Sequence, residues 1–381
     1  MRRLGSTVAR LHNMRKASMA AMAKIDSIGA APSRLGVMTG FGTNPGALVA
    51  KTYLPPDLAP GAPLVVVLHG CTQNAALYDH GSGWSELADR HGFALLFPEQ
   101  TRANNHNLCF NWYASGDSRR GRGEAASIAQ MVKHMIASHG LDPARVFING
   151  LSAGGAMTAA MLATYPDLFA GGAIIAGLPF ATAEGVPQAL ERMRGQGFPS
   201  RRALASKIAN AADHDGPWPT LSVWHGTADT LVVPANADVI VDQWRDLVGL
   251  GDVEGQADTV DGHPRTTWRD DAGRVLIERY DIEGMGHGTP LETRSEASCG
   301  TAGAHMLEAG ICSTSRIAGS WGLTGKTVRQ ATPRAAAVRT PPAPALKPVA
   351  KPRARAKPAT PRAKGVGAVI EDALRAAGLM R

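Results

Sequence analysis

The chain has 381 residues, 44% hydrophobic and 5% aromatic, enough apolar material for one large domain or two small ones. No run approaches 18 apolar residues, so no membrane-crossing helix is expected, and four cysteines in a chain this long do not make a disulfide scaffold. The net charge of +8 is uneven: residues 1–35 hold +6, residues 326–381 hold +11, and the segment between is left with −9. The basic character belongs to the two ends and bears on what they touch, not on the fold.

Residues 1–27 place Leu4, Val8, Leu11, Met14, Met22 and Ile25 at helical spacing, with Arg3, Arg10, Lys16 and Lys24 largely elsewhere on the wheel. This pattern predicts a basic amphipathic helix within an N-terminal extension over 1–35. Arg15 and Ser18 interrupt its apolar face, and a helix packed on the domain or a frayed end fits equally. Arg2-Arg3 is followed by no apolar run, so no secretory signal is read and a cytoplasmic location is expected. From Gly36 onward strands and helices alternate. Strands are predicted over 47–54, 63–69, 93–97, 145–149, 173–176, 221–224 and 274–282. Helices are predicted over 84–90, 124–139, 155–165, 237–247 and 315–321. Such alternation means an α/β fold: a mostly parallel central sheet with helices on both faces, spanning 36–325. Residues 181–216 break the alternation and read as a small cap insertion. Residues 326–365 are Ala, Pro, Lys and Arg with little apolar bulk, which predicts a disordered basic linker. Val366, Val369, Ile370, Ala373, Leu374 and Ala377 then predict a short helix over 366–381.

Gly150-Leu151-Ser152-Ala153-Gly154 lies between an apolar strand and an Ala/Met/Leu-rich helix. Strand, G-x-S-x-G and helix together describe a nucleophile elbow, in which the glycines allow a turn sharp enough to expose the Ser152 hydroxyl. A serine needs a base to take its proton, and the base needs a third group to orient it. Asp229, in a loop directly after the strand over 221–224, is the candidate acid; Asp213, Asp215 and Asp238 lack that strand-end setting. His287, in the Gly-lined loop after the strand over 274–282, is the candidate base; His225 and His263 read as structural. Two backbone N–H groups are needed for an oxyanion. Ala153 follows the nucleophile, and Cys71 lies in the loop after the strand ending at His69-Gly70.

The stretches His69-Gly70-Cys71-Thr72-Gln73, Cys109-Phe110-Asn111-Trp112, Gly150–Gly155, His225–Asp229 and Gly284–Gly288, in this order, resemble the polyhydroxybutyrate depolymerase-type esterase family over residues 36–323. The resemblance implies an α/β-hydrolase fold and a serine esterase. Its substrates would be polyesters or oligomers of 3-hydroxybutyrate, or else feruloyl or acetyl esters of polysaccharides. The triad carries over to Ser152, Asp229 and His287, and the oxyanion cysteine to Cys71. Secreted members carry signal peptides and sometimes polymer-binding domains. Neither is read here, which speaks against extracellular polymer degradation; an extracellular location, as for those secreted members, is the alternative. Phe110, Trp112 and Tyr113 either line an acyl groove or fill the core. Cys71 and Cys109, in two loops over one cleft, are a candidate disulfide, and Cys299 and Cys312 are another. No metal or cofactor is expected. A peptidase or a dienelactone-type hydrolase is the rival within the fold. The rival of another class is a protein whose basic ends hold nucleic acid, an anionic membrane or a polyester granule.

Overall fold

A computed structural model describes residues 33–295 and 298–324. The helix expected over 1–27, the linker over 326–365 and the helix over 366–381 lie outside the described residues. In chain order the elements are β1 (Gly36–Met38), β2 (Val49–Tyr53), β3 (Leu64–Leu68), α1 (Ala75–Ser82), α2 (Trp84–His91), β4 (Ala94–Glu99), α3 (Gly123–His139), β5 (Val146–Leu151), α4 (Ala153–Thr164), β6 (Gly171–Ile175), α5 (Val186–Met193), α6 (Arg201–Ala209), β7 (Thr220–Gly226), α7 (Ala235–Leu247), β8 (Gln256–Val260), β9 (His263–Arg269), β10 (Val275–Ile282), β11 (Thr289–Leu291), β12 (Met306–Glu308) and α8 (Ser313–Ser320).

Ten strands form one sheet in the order β1-β2-β4-β3-β5-β6-β7-β10-β9-β8. Its centre, from β4 to β10, is parallel throughout. β3 reads Leu-Val-Val-Val-Leu with every residue buried, as a strand covered on both faces requires. Alternation divides it. Val65 and Val67 join one apolar cluster with Tyr78 of α1, Trp84 and Leu87 of α2, and Ile317 of α8, so Leu64, Val66 and Leu68 face the opposite side. The two faces follow from chain direction. The β3–β4 connection steps one way across the sheet, whereas β5, β6, β7 and β10 step the other way. Right-handed crossovers therefore put their helices on opposite faces. The reversal falls between β3 and β5, and the crevice at such a switch point, outside the carboxyl ends of the strands, is where open α/β sheets bind ligands.

The expected α/β alternation is present, and its central strands and longest helices fall within a few residues of the predicted bounds. Several elements were not legible in the sequence. β8 (Gln-Ala-Asp-Thr-Val) is largely exposed and β9 half-buried, so this antiparallel hairpin at the sheet's edge carries no apolar run. β1, also unread, pairs antiparallel with β2, the strand expected over 47–54, at the other edge. α1 contains Gly81, which weakens its helical signal; the Asn74 side chain caps it by accepting from the Leu77 N–H. Within 181–216 the chain forms α5 and α6. Asn236 donates to the Arg192 carbonyl, and Gln243 to the Leu204 carbonyl, so both helices are fastened to α7 and the turn before it.

At the end of the described chain Trp321 stacks on Phe147 of β5, with ring centroids 4.9 Å apart, and on Trp84 of α2 at 6.2 Å. This ring seals the cluster beneath the sheet. Trp321→Ala is expected to lower unfolding stability by about 3–5 kcal/mol, through lost burial and the cavity left behind, as measured by urea titration.

Candidate active site

β5 ends at Leu151 and α4 begins at Ala153, so Ser152 alone makes the reversal, at φ 56° and ψ −117°. For a residue with a side chain such a conformation costs about 1–3 kcal/mol, and surrounding contacts must hold it. The Ser152 N–H donates to the Ile175 carbonyl, and the Ser152 carbonyl accepts from the Ala156 N–H, both at 2.9 Å. The glycines let the backbones close in. A Cβ at Gly150 would lie 2.4 Å from the Gly154 oxygen, and one at Gly154 would lie 2.5 Å from the carbonyl oxygens of both Leu68 and His69. The end of β3, the end of β5 and the start of α4 thus touch main chain to main chain. The positive end of the α4 dipole lies at Ser152.

Asp229 follows β7 by three residues and His287 follows β10 by five. β7 and β10 are parallel neighbours, so both loops leave the same edge of the sheet as Ser152. The two loops are tied to each other. The Ala228 N–H donates to the Met285 carbonyl at 3.0 Å and the Gly284 N–H to the Thr227 hydroxyl at 2.9 Å. A Cβ at Gly226 would lie 2.3 Å from the Met285 oxygen. Held this way, the His287 Nδ1–H donates to Asp229 Oδ2 at 2.7 Å. That bond selects the tautomer and leaves Nε2 as the basic nitrogen. Asp229 Oδ1 accepts from the N–H groups of Leu231 and Val232 at 2.9 and 3.0 Å. Burial alone would raise the Asp229 carboxyl, but hydrogen bonds from His225 and His287 outweigh it and hold the group well below the usual carboxylate range.

Two histidines that read as structural or unremarkable in the sequence stand beside this pair. The His225 Nε2–H donates to the Val232 carbonyl at 2.7 Å and lies 3.4 Å from Asp229 Oδ2. Its place four residues before the acid was the one available signal. The His305 ring meets the His287 ring edge-on at 5.7 Å, and its Nδ1–H donates to the His287 carbonyl at 3.0 Å. Nothing local in the sequence pointed to His305, which reaches the site from the strand pair β11–β12. Two of the rival candidates are occupied elsewhere: Asp238 pairs with Arg279, and His263 bonds the Ala309 carbonyl and the Glu283 N–H.

Cys71 follows β3 by three residues, on the other side of Ser152 in strand order. Gly70 N–H donates to the Gln73 side chain at 2.9 Å, which curls the loop. Cys71 is joined to Cys109 with a Cα separation of 4.2 Å, and Cys299 to Cys312 with 6.1 Å, so both candidate disulfides are present. Ala153 is the first residue of α4 and its N–H is one of the helix's unpaired donors. The aromatic expectation needs correction at one residue. Phe110 is fully buried against the His69 ring, 5.1 Å between centroids, so it fills the core under the site and does not line a groove. Trp112 and Tyr113 pack edge to face and each keeps a narrow exposed margin.

A half-exposed serine at a sharp strand-to-helix elbow, with a carboxylate–imidazole pair at the same edge of a parallel sheet, defines an α/β-hydrolase. The fold agrees with the acetyl xylan esterase of Aspergillus awamori, whose structure matches with a TM-score of 0.64 at 24% identity, over 76% of this chain and 99% of that one. Residues 48–265 match the family described as Esterase PHB depolymerase, and the chain belongs to that family of carboxylic ester hydrolases. It is 44% identical over 291 residues to the poly(3-hydroxyalkanoate) depolymerase C of Paucimonas lemoignei, covering 76% of this chain and 70% of the relative. It is 32% identical over 264 residues to the feruloyl esterase B of Talaromyces stipitatus, covering 67% and 72%.

Because the Asp229 carboxyl is depressed on folding, its ionisation stabilises the fold above the unfolded carboxylate range, about pH 4, and that contribution is lost as pH falls toward the depressed value. Asp229→Asn is therefore expected to be less stable than the native chain at neutral pH, with the gap narrowing below about pH 4. Urea titrations of both proteins between neutral pH and pH 3 check this; a gap independent of pH would contradict it.

Proposed function

We propose that the chain hydrolyses carboxylic esters by acyl transfer through Ser152. The observation that carries the reading is the bond from His287 to Asp229 at the sheet edge where the strained Ser152 turn also lies. In this mechanism Ser152 Oγ attacks the ester carbonyl while His287 Nε2 takes its proton. Asp229 holds the imidazole and balances the imidazolium. The N–H groups of Cys71 and Ala153 receive the oxyanion. Collapse of the tetrahedral intermediate breaks the C–O bond, His287 returns its proton to the departing alcohol, and a water activated by the same nitrogen releases the acid and restores Ser152.

Poly- or oligo-(3-hydroxyalkanoate) is the substrate class favoured by the higher identity to the Paucimonas lemoignei depolymerase than to the feruloyl esterase. Trp112 and Tyr113 are the proposed wall of the acyl site. The basic ends, +6 and +11, would draw the enzyme to an anionic or granule surface. Ser152→Ala is expected to lose ester turnover by about 10⁴-fold or more. A panel of hydroxybutyrate oligomers, short p-nitrophenyl esters and feruloyl esters should show the oligomers cleaved with the highest kcat/KM. Retained turnover in Ser152→Ala would move the site elsewhere, and a preference for feruloyl esters would move the substrate. The same panel on granules, with and without residues 326–381, reads the contribution of the basic end.

Two disulfides persist in oxidising compartments, so they favour such a location over the cytoplasm. Alkylation and mass spectrometry of protein taken from its native source is expected to find no free thiol at these four positions. Four alkylated cysteines would return the protein to a reducing compartment.

A further inference from the structure

Glu124 is fully buried in the first turn of α3, and its carboxyl has no direct contact with the triad residues among its described hydrogen bonds. Its Oε1 accepts from Gln100 Nε2 at 2.6 Å, from Asn111 Nδ2 at 2.7 Å and from Asn104 Nδ2 at 3.1 Å, and its Oε2 accepts from the Asn111 N–H at 2.8 Å. No cation is among these partners. A buried carboxyl without a cation is costly, and burial pushes this one up to about 8, against hydrogen bonds from Asn111 and Gln100 that favour the anion. All four contacts are N–H donors, three on Oε1 and one on Oε2, so Oε1 is an acceptor throughout and any proton the carboxyl carries sits on Oε2. The main chain at the helix start is hemmed in as well: a Cβ at Gly46 would lie 2.4 Å from Glu124 Cα.

The partners lead to one place. Gln100 also donates from Nε2 to the Cys109 carbonyl at 3.0 Å, and its N–H donates to His69 Nε2 at 3.1 Å. Asn111 accepts from Asn105, whose own Oδ1 holds the N–H groups of Asn107 and Cys109. The Asn107 carbonyl then accepts from the Thr72 N–H at 2.7 Å, and Cys109 is bonded to Cys71. Two routes thus run from one carboxyl to the loop that carries the Cys71 N–H, one of hydrogen bonds ending at the Thr72 N–H and one passing through the Cys109–Cys71 disulfide.

We propose that Glu124 is the positioning residue of the oxyanion site, clamping the 100–111 segment so that the Cys71 N–H points at the developing negative charge. This rests on the acyl-transfer reading above. The test compares a p-nitrophenyl ester with its thiono analogue, whose sulfur gains little from oxyanion donors, in the native chain, Glu124→Gln and Ser152→Ala. Glu124→Gln keeps the shape but turns an amide donor toward a donor. It is expected to lower kcat on the oxygen ester about tenfold or more with KM within about twofold, to leave the thiono ester nearly unchanged, and so to lower the oxygen-to-sulfur rate ratio. Loss of both activities in equal proportion, or no loss, in a folded variant whose Cys71–Cys109 bond is intact by mass spectrometry would overturn the proposal. Should Glu124→Gln not fold, Gln100→Ala cuts the Cys109 carbonyl from the carboxyl. Its ratio is expected to fall about threefold, and an unchanged ratio overturns the proposal in the same way. Turnover retained in Ser152→Ala would refute the acyl-transfer reading itself, independently of Glu124.

Discussion

A Cβ on Gly154 would sit 2.5 Å from two carbonyl oxygens at the end of β3. Hydrogen takes its place, and that lets the start of α4 press against the neighbouring strand. From this contact the rest of the site follows. It brings the loop that carries Cys71 against the turn that carries Ser152, at the point where strand order reverses. The strained Ser152 backbone survives because the sheet on one side and the helix on the other both grip it.

The protein buries several titratable side chains near these loops. His69, His225, Asp229 and Glu124 are all nearly inaccessible. Each is kept by hydrogen bonds that fix its form. His69 donates from Nδ1 to the Gly70 carbonyl and accepts at Nε2 from the Gln100 N–H, so it is neutral, and burial lowers its ring to about 4. Asp229 is kept ionised by imidazole and backbone donors. Hydrogen bonds of this kind hold the groups in place, and reactive groups need such positioning because small displacements cost large factors in rate.

The motifs of the candidate site were legible in the sequence because each is local. The elbow needs its glycines within five residues of Ser152. Asp229 and His287 announce themselves by following apolar strands in loops of small residues. β3 and β5 were legible because strands buried on both faces must be continuously apolar. The β8–β9 hairpin was not, since an exposed edge needs no apolar pattern, and the aromatic cluster after Cys109 left groove and core both open for Phe110, since a ring's spacing says nothing about which side of a loop it occupies.

The sequence by itself determined the central strands and the longest helices, the sharp turn at Ser152 and the candidates for acid and base, all set by backbone preference and hydrophobic pattern over short stretches. Only the tertiary structure decided that Cys71 joins Cys109, that His225 and His305 flank the acid–base pair, and that Glu124 ties the 100–111 segment to the loop of Cys71. Those are contacts between residues distant in the chain, and they depend on which strands become neighbours. That choice is made by packing of the whole sheet, which no local run of residues encodes.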